Sequence, residues 1–311
     1  MRDEPVRPAA VAVVGTTASG KSALALAVAR ARPDVELVSI DSMQVYRGMD
    51  IGTASPTPAE RAAVPHHLVD VADPWEEWSL ARFQAAATEA LADIAARGRR
   101  AVLVGGTGLY LRAVIDGLEI PGQYPEVRAE LEAEADTRAL HRRLADLDPR
   151  AASRMEPGNR RRVVRALEVT VGSGRPFSSY GPGLETHPDT VPQVGIRLPA
   201  PTVAARIEAR YHAQVEAGFL AEVDALLALD RPLSRTAAQA LGYRELIAHR
   251  RGELALDEAL DEAIRRTRRF ARRQRVWFRR DPRITWVDAE DPDDVTEAFV
   301  DRVVAALDAQ A

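Results

Sequence analysis

The chain has 311 residues, 46% hydrophobic and 28% charged, with a formal net charge of −4. This is the composition of a globular protein large enough for one sizeable domain or two, and the charge argues against indiscriminate nucleic-acid binding. The absence of cysteine excludes disulfides, zinc–cysteine sites and thiol catalysis, and neither a membrane-length apolar run nor a signal-peptide layout is present, so a cytoplasmic location is expected.

The first elements form a strand–loop–helix unit. Residues 10–14 read as a buried strand and residues 22–31 as a helix. Between them, Gly15-Thr16-Thr17-Ala18-Ser19-Gly20-Lys21-Ser22 fits the pattern G-x-x-x-x-G-K-[ST]. Lys21 is the only lysine among 42 basic residues. A compact ammonium fits among phosphate oxygens where a flat guanidinium does not. Backbone N–H groups of such a loop wrap a diphosphate, Lys21 neutralises it, and the Ser22 hydroxyl can ligate Mg²⁺. A phosphorylated ligand is therefore expected.

A second strand over 35–40 ends at Asp41, on the edge of a parallel sheet that borders the ligand crevice. A carboxylate there can hold Mg²⁺, take a proton from a nucleophile, or cap the next element. Residues 48–73 are rich in Pro, Gly and His and read as loops. His66 and His67 lack a third metal ligand at a recognisable spacing. A helix over 79–97 leads to a strand over 101–104, which runs into Gly105-Gly106-Thr107-Gly108-Leu109-Tyr110. A P-loop ATPase often ends such a strand with an acid that orders Mg²⁺. Here the glycines permit close approach and the threonine offers a hydroxyl, although a helix cap would look the same.

From residue 118 to 190 the pattern changes to charged helices, over 125–135, 137–146 and 159–170, with a turn-rich connector over 172–192. A strand over 191–198 then returns the chain to the first domain. Helices over 203–217, 220–229, 237–250 and 256–280 follow. The expected fold is α/β, a P-loop NTPase-like parallel-sheet core (1–117 and 191–311) with a helical insertion domain (118–190). Arg206 and Arg210 share a helix face, where they can clamp a diphosphate or simply pair with Glu208 and Glu216. Arg160, Arg161, Arg162 and Arg165 form one basic cluster and residues 264–280 a larger one. Such clusters suit a polyanion, or are solvated faces of an arginine-rich chain. Phe270, Trp277 and Phe278 read as packing the last of these helices onto the core.

Several stretches together resemble one family, the tRNA dimethylallyltransferases, also called tRNA isopentenyltransferases, in their bacterial form. They are the loop from Gly15 to Ser22; Asp41-Ser42-Met43-Gln44-Val45-Tyr46-Arg47-Gly48-Met49-Asp50-Ile51-Gly52-Thr53-Ala54; and Pro65-His66-His67-Leu68-Val69-Asp70. Also matching are Val104-Gly105-Gly106-Thr107-Gly108-Leu109-Tyr110-Leu111, Arg162-Val163-Val164-Arg165-Ala166-Leu167-Glu168-Val169, Gln239-Ala240-Leu241-Gly242-Tyr243-Arg244-Glu245, and the block from Arg272-Arg273-Gln274 to Phe278. The resemblance covers nearly the whole chain in the family's order, and the run from Asp41 to Ala54 is its most specific part.

The resemblance implies transfer of a dimethylallyl group from dimethylallyl diphosphate to N6 of adenine 37 in the anticodon stem-loop of tRNA. It further implies that the loop from Gly15 to Ser22 and Arg210 bind the diphosphate, with Mg²⁺ as cofactor on Ser22. Asp41 is implied as the general base, and Thr107 as the group holding the adenine or the reacting centre. Asp41, Ser42, Met43, Gln44, Thr107, Arg128, Arg161, Arg162, Val163, Val164, Arg165, Gln239, Ala240, Leu241, Gly242, Tyr243 and Arg244 fall where the family contacts tRNA. A monomer with no membrane partner is expected. Thr16 replaces the family's usual proline and Arg161 a common glutamine. A small-molecule P-loop kinase and a non-catalytic tRNA-binding ATPase are the alternatives, and neither accounts for Asp41, the Gly-Gly-Thr turn and both arginine clusters together.

Overall fold

A computed structural model of the chain describes residues 7–181, 183–188, 191–290 and 297–310. It forms two compact units, Met1–Ile115 with Asp189–Ala311, and Asp116–Pro188.

The first unit begins with β1 (Ala10–Gly15), α1 (Lys21–Ala31), β2 (Val35–Ser39), α2 (Pro58–Ala63), β3 (His66–His67), α3 (Leu80–Ala96), β4 (Arg100–Gly105) and α4 (Gly108–Ile115). The second unit holds α5 (Pro125–Ala133), α6 (Thr137–Leu147), α7 (Pro149–Ala152) and α8 (Arg160–Ser173). The chain then returns to the first unit through β5 (Gln193–Arg197), α9 (Ala200–Glu216), α10 (Phe219–Leu227), α11 (Arg235–Ala238), α12 (Tyr243–Arg250), α13 (Leu256–Phe278), β6 (Ile284–Asp288) and α14 (Glu297–Asp308).

The six strands make one parallel sheet in the order β3-β2-β4-β1-β5-β6. β1 sits inside it, and every one of its residues is buried. That is why its sequence is a continuous apolar run instead of an alternating one. Pairing of Val14 with Gly105, and of Ser39 with Val104, ends β1, β4 and β2 at one level. The loops after them, at 16–20, 40–44 and 106–107, therefore open from the same edge, where ligands bind in open parallel sheets.

The α/β core and helical insertion expected from the sequence are present, and several elements differ in detail. The helix expected over 237–250 is broken into α11 and α12, because Gly242 takes φ 86° between them. The stretch read as loops contains α2, whose Thr57 and Glu60 form a reciprocal capping box with Pro58 in the first turn. It also contains the two-residue β3. β6 was not anticipated; it pairs only with β5, at the edge of the sheet.

The second unit has its own small core of Leu131, Leu140, Leu144, Ala151, Ala152, Val163, Val164, Ala166 and Leu167. Among the described residues no helix is long and apolar enough to cross a membrane.

Candidate active site

The loop after β1 is shaped as an anion cradle. Thr16 O accepts bonds from Lys21 Nζ (3.2 Å) and Ser19 N (3.3 Å), closing the turn. Ala18 (φ 62°) and Gly20 (φ 86°) take left-handed conformations on either side of Ser19, so successive N–H groups turn toward the mouth. α1 has no side-chain cap and no acid in its first turn. Its leading N–H groups, at Lys21, Ser22 and Ala23, thus meet the mouth with the helix's positive end.

Three charged groups converge on this cradle. The Lys21 ammonium is pushed down to about 8 by burial, against the pull of Asp41 and with a further push from Arg210. Arg210, on α9, is lowered by burial in turn, with Tyr211 and then Asp41 opposing and Arg206 adding to the shift. Its Nε is buried without a hydrogen-bond partner among the described residues. Arg206, one turn earlier, donates to Ala18 O at 3.2 Å and ties α9 to the loop. Arg206 is hydrogen-bonded to this loop and the Arg210 Nε is buried, so neither stands on a wholly exposed helix face.

Asp41 follows β2 and accepts from Met43 N at 2.8 Å, an Asx turn that fixes its carboxylate. Thr107 starts α4 by accepting Tyr110 N (2.9 Å) and Leu111 N (3.1 Å) at its carbonyl, and its hydroxyl has no protein partner among the described residues. The Tyr110 phenol is pushed up to about 12 by burial, with Tyr46 and Asp41 adding to the shift.

Other residues singled out in the sequence are taken up by the fold itself. Gln44 accepts from Ser39 Oγ (2.7 Å) and donates to Ala54 O (3.1 Å), so its amide latches the loop after β2. Val163 and Val164 are 0% and 3% exposed in the core of the second unit, so their side chains face away from any RNA. Ala240 and Tyr243 are also buried, which leaves Gln239 and Arg244 as the exposed members of their motif. The Tyr243 phenol, raised by burial and by Glu222, donates to Glu222 Oε1 at 2.6 Å.

In the second unit, Arg165 donates to Glu168 (2.9 Å) and to Pro121 O, while Arg128 lies 3.6 Å from the other oxygen of Glu168. Glu168 is 1% exposed, so these two arginines neutralise a buried carboxylate. Arg161 and Arg162 are exposed and carry no ion pair among the described residues. His67 bonds Glu36 (2.7 Å) and His66 bonds Val64 O (2.7 Å), which gives both a structural role. Phe278 is buried and Trp277 packs against the main core.

Reading the sequence assigned no role to three residues that hold the site. Glu222, on α10, accepts Asp50 N (2.9 Å), Ile51 N (2.8 Å) and Gly52 N (3.1 Å), and Gln214 donates to Ile51 O. These two explain why the run from Asp41 to Ala54 keeps one shape. Removing the carboxylate in Glu222→Ala strands three N–H groups and a buried phenol. It is expected to cost about 2–4 kcal/mol in urea-induced unfolding. The third is Gln274, whose spacing from Thr267, Ala271 and Phe278 on the buried stripe of α13 was the available signal.

Comparison with known proteins gives consistent results. The IPP transferase family profile matches residues 44–281. The tRNA dimethylallyltransferase of Nocardioides sp. is 49% identical over 310 residues, 99% of this chain and 98% of the relative. That of Streptomyces coelicolor is 49% identical over 92% of each chain. Among solved structures, the full-length tRNA isopentenylpyrophosphate transferase of Bacillus halodurans aligns over 97% of each chain, at 38% identity and a TM-score of 0.69. A eukaryotic dimethylallyltransferase acting on tRNA aligns over 95% of this chain and 78% of its own, at 25% identity and a TM-score of 0.79.

Proposed function

The chain belongs to the IPP transferase family, and from that premise we propose that it transfers a dimethylallyl group from dimethylallyl diphosphate to N6 of adenine 37 in tRNA. The observation that carries this reading is the strand register that opens the cradle with Lys21, the loop with Asp41 and the turn with Thr107 from one edge of the sheet, with Arg210 in electrostatic reach of Lys21 and Asp41. Where a phosphate-transferring enzyme keeps an acid after the neighbouring strand, β4 runs into Gly106 and Thr107, which leave room and a free hydroxyl.

The chemistry follows from these groups. The N6 lone pair attacks the allylic carbon, the carbon–oxygen bond to diphosphate breaks, and its electron pair leaves with the diphosphate. Lys21, Arg210 and the cradle's N–H groups stabilise the charge that develops there. Asp41 accepts the N6 proton as the new bond forms, and the Thr107 hydroxyl orients the base. The target adenine leaves its stack to reach the site, at a cost of a few kcal/mol.

A divalent ion fits this donor set only in a sparse form. Among the described residues no cluster of three His, Cys, Asp or Glu offers a protein cage. The Ser22 hydroxyl, exposed at the first turn of α1, would hold a Mg²⁺ that needs few protein ligands. Bound there, the ion adds positive charge against the diphosphate. On the same reading the protein is a monomeric, cytoplasmic enzyme.

Arg161 and Arg162 are the residues of the second unit best placed to meet RNA phosphates. Arg162→Ala is expected to weaken tRNA binding and reduce the salt slope of log Kd by about 1. Arg165→Ala is expected to lower stability as well, because it unpairs the buried Glu168. An unchanged salt slope in Arg162→Ala removes that residue from the interface.

The depressed Lys21 gives a pH signature. Diphosphate favours the ammonium and raises its pKa, so the complex binds more protons than the free protein above about pH 8. Affinity for a non-reactive dimethylallyl thiolodiphosphate is therefore expected to be flat below that pH and to fall above it. Calorimetry in buffers of different ionisation enthalpy should detect the proton uptake.

The proposed reaction is tested with radiolabelled dimethylallyl diphosphate, Mg²⁺ and unmodified tRNA carrying adenine at positions 36 to 38. The same tRNA with guanine at 37 is the control. Label entering only the first RNA is the expected result. No label in either, together with ATP-dependent phosphorylation of a small metabolite, replaces the reading with a kinase.

A further inference from the structure

We infer that Gln274 is a positioning residue that sets the distance between the diphosphate cradle and the turn carrying Thr107. Its side chain is 6% exposed and reaches out of α13 between the two loops. Oε1 accepts the N–H of Thr17 at 2.8 Å, and Nε2 donates to Gly106 O at 2.8 Å. One primary amide thus bonds both walls of the site at once. The assignment of its two ends is fixed by chemistry, since reversing the amide sets a donor against a donor and an acceptor against an acceptor.

Three observations make the contact specific to this spacing. A Cβ at Gly106 would lie 2.3 Å from Gln274 Nε2, so the glycine is what lets the amide in. Trp277, one turn further along α13, backs the same turn: a Cβ at Gly108 would lie 2.1 Å from its Nε1. The Thr17 N–H, which the motif alone assigns to the phosphates, is turned to Gln274 instead. The cradle then offers the diphosphate the N–H groups of later residues, at the start of α1.

The consequence concerns alignment, and it rests on the proposed transfer. The diphosphate is held by one loop and the acceptor base by the other, so their separation fixes the line of attack. A misplacement of about 1 Å can cost about 10²-fold in rate without loss of binding. Gln274→Met keeps the volume and removes both bonds. It is expected to lower kcat by about 10²-fold while KM for both substrates and Kd for inorganic pyrophosphate stay within about threefold. Gln274→Glu keeps the acceptor for Thr17 but sets a carboxylate against Gly106 O. Its activity relative to the unaltered enzyme is expected to rise as pH falls, because the protonated acid restores the donor.

The test measures those constants for both variants, alongside hydrogen exchange at the Thr17 amide. Faster exchange at Thr17 in Gln274→Met, with kcat lost and binding kept, supports the inference. If Gln274→Met does not fold, the pH dependence of Gln274→Glu decides: rising relative activity at low pH supports the inference and a flat ratio overturns it. Unchanged kcat or unchanged Thr17 exchange in folded Gln274→Met overturns it, as does a parallel loss of pyrophosphate and RNA affinity. Should the unaltered enzyme transfer no dimethylallyl group, the reaction reading has failed. Thr17 exchange then still reports whether the amide holds the loop.

Discussion

Replacing Asp41 with asparagine is expected to lower kcat by about 10²- to 10⁴-fold, while affinity for the diphosphate and for tRNA is largely kept. The substitution is clean because Asn keeps the oxygen that accepts Met43 N, so the Asx turn at the end of β2 survives. What it removes is the charge and, in the proposed reaction, the ability to take the N6 proton. Adenine N6 is a poor nucleophile, since its lone pair is delocalised into the ring. A hydrogen-bonded carboxylate is what lets electron density build there. The same change has a second readout. Asp41 pulls the Lys21 pKa upward, so without it the loss of diphosphate affinity at high pH should begin at lower pH. Single-turnover kinetics combined with binding titrations measure both effects. Near-normal turnover in Asp41→Asn, with both substrates bound, would rule out the general-base role.

Replacing Lys21 with methionine is expected to weaken diphosphate binding and to lower kcat by about 10²- to 10³-fold, the cost of losing one charge aimed at a leaving group. The folded protein without ligand should respond in the opposite sense. Burial holds Lys21 at about 8, below its ordinary 10.5, so the charged form is disfavoured in the fold relative to the unfolded chain. Between those two pH values the unfolded state binds more protons, and the contribution of Lys21 to stability rises with pH. Lys21→Met is therefore expected to stabilise the unliganded protein at neutral pH by about 1–3 kcal/mol, trading activity for stability. Thermal unfolding at pH 7 and pH 10 checks this. An equal gain at both pH values would show that the stabilisation comes from packing and not from the buried charge.

Much of the site was legible in the order of the residues because it is local. The strand before residue 15, the helix after residue 22 and the lone lysine between them lie within one short stretch, where spacing alone fixes geometry. The same holds for Asp41 at the end of β2 and for the glycines and Thr107 after β4. Parallel pairing in a common register then brings the three loops to one edge. The insertion was visible as a change from apolar strands to charged helices. The break before Tyr243 was not, because α11 and α12 both fit a helical period and only a short turn over 239–242, ending in Gly242 at φ 86°, separates them.

The arginines were the hardest to judge from the sequence. Forty-two basic residues in a chain that uses lysine once give no contrast between a ligand-facing arginine and a structural one. Burial separates them. Arg210 is half-buried with its Nε enclosed and unpartnered among the described residues, Arg165 is spent on Glu168, and Arg161 and Arg162 stand exposed.

The sequence by itself determined the fold class, the glycine-rich loop after β1 and the position of the carboxylate, since each is written in contiguous residues whose spacing dictates their geometry. Tertiary structure alone decided what holds those parts at working distance. Gln274 reaches Thr17 across 257 residues of chain, and Glu222 reaches Asp50 across 172. Both reach those partners through backbone N–H groups, and every residue but proline offers the same N–H. A bond of that kind leaves no mark on the sequence of its partner, and it exists only once the helices have packed against the sheet.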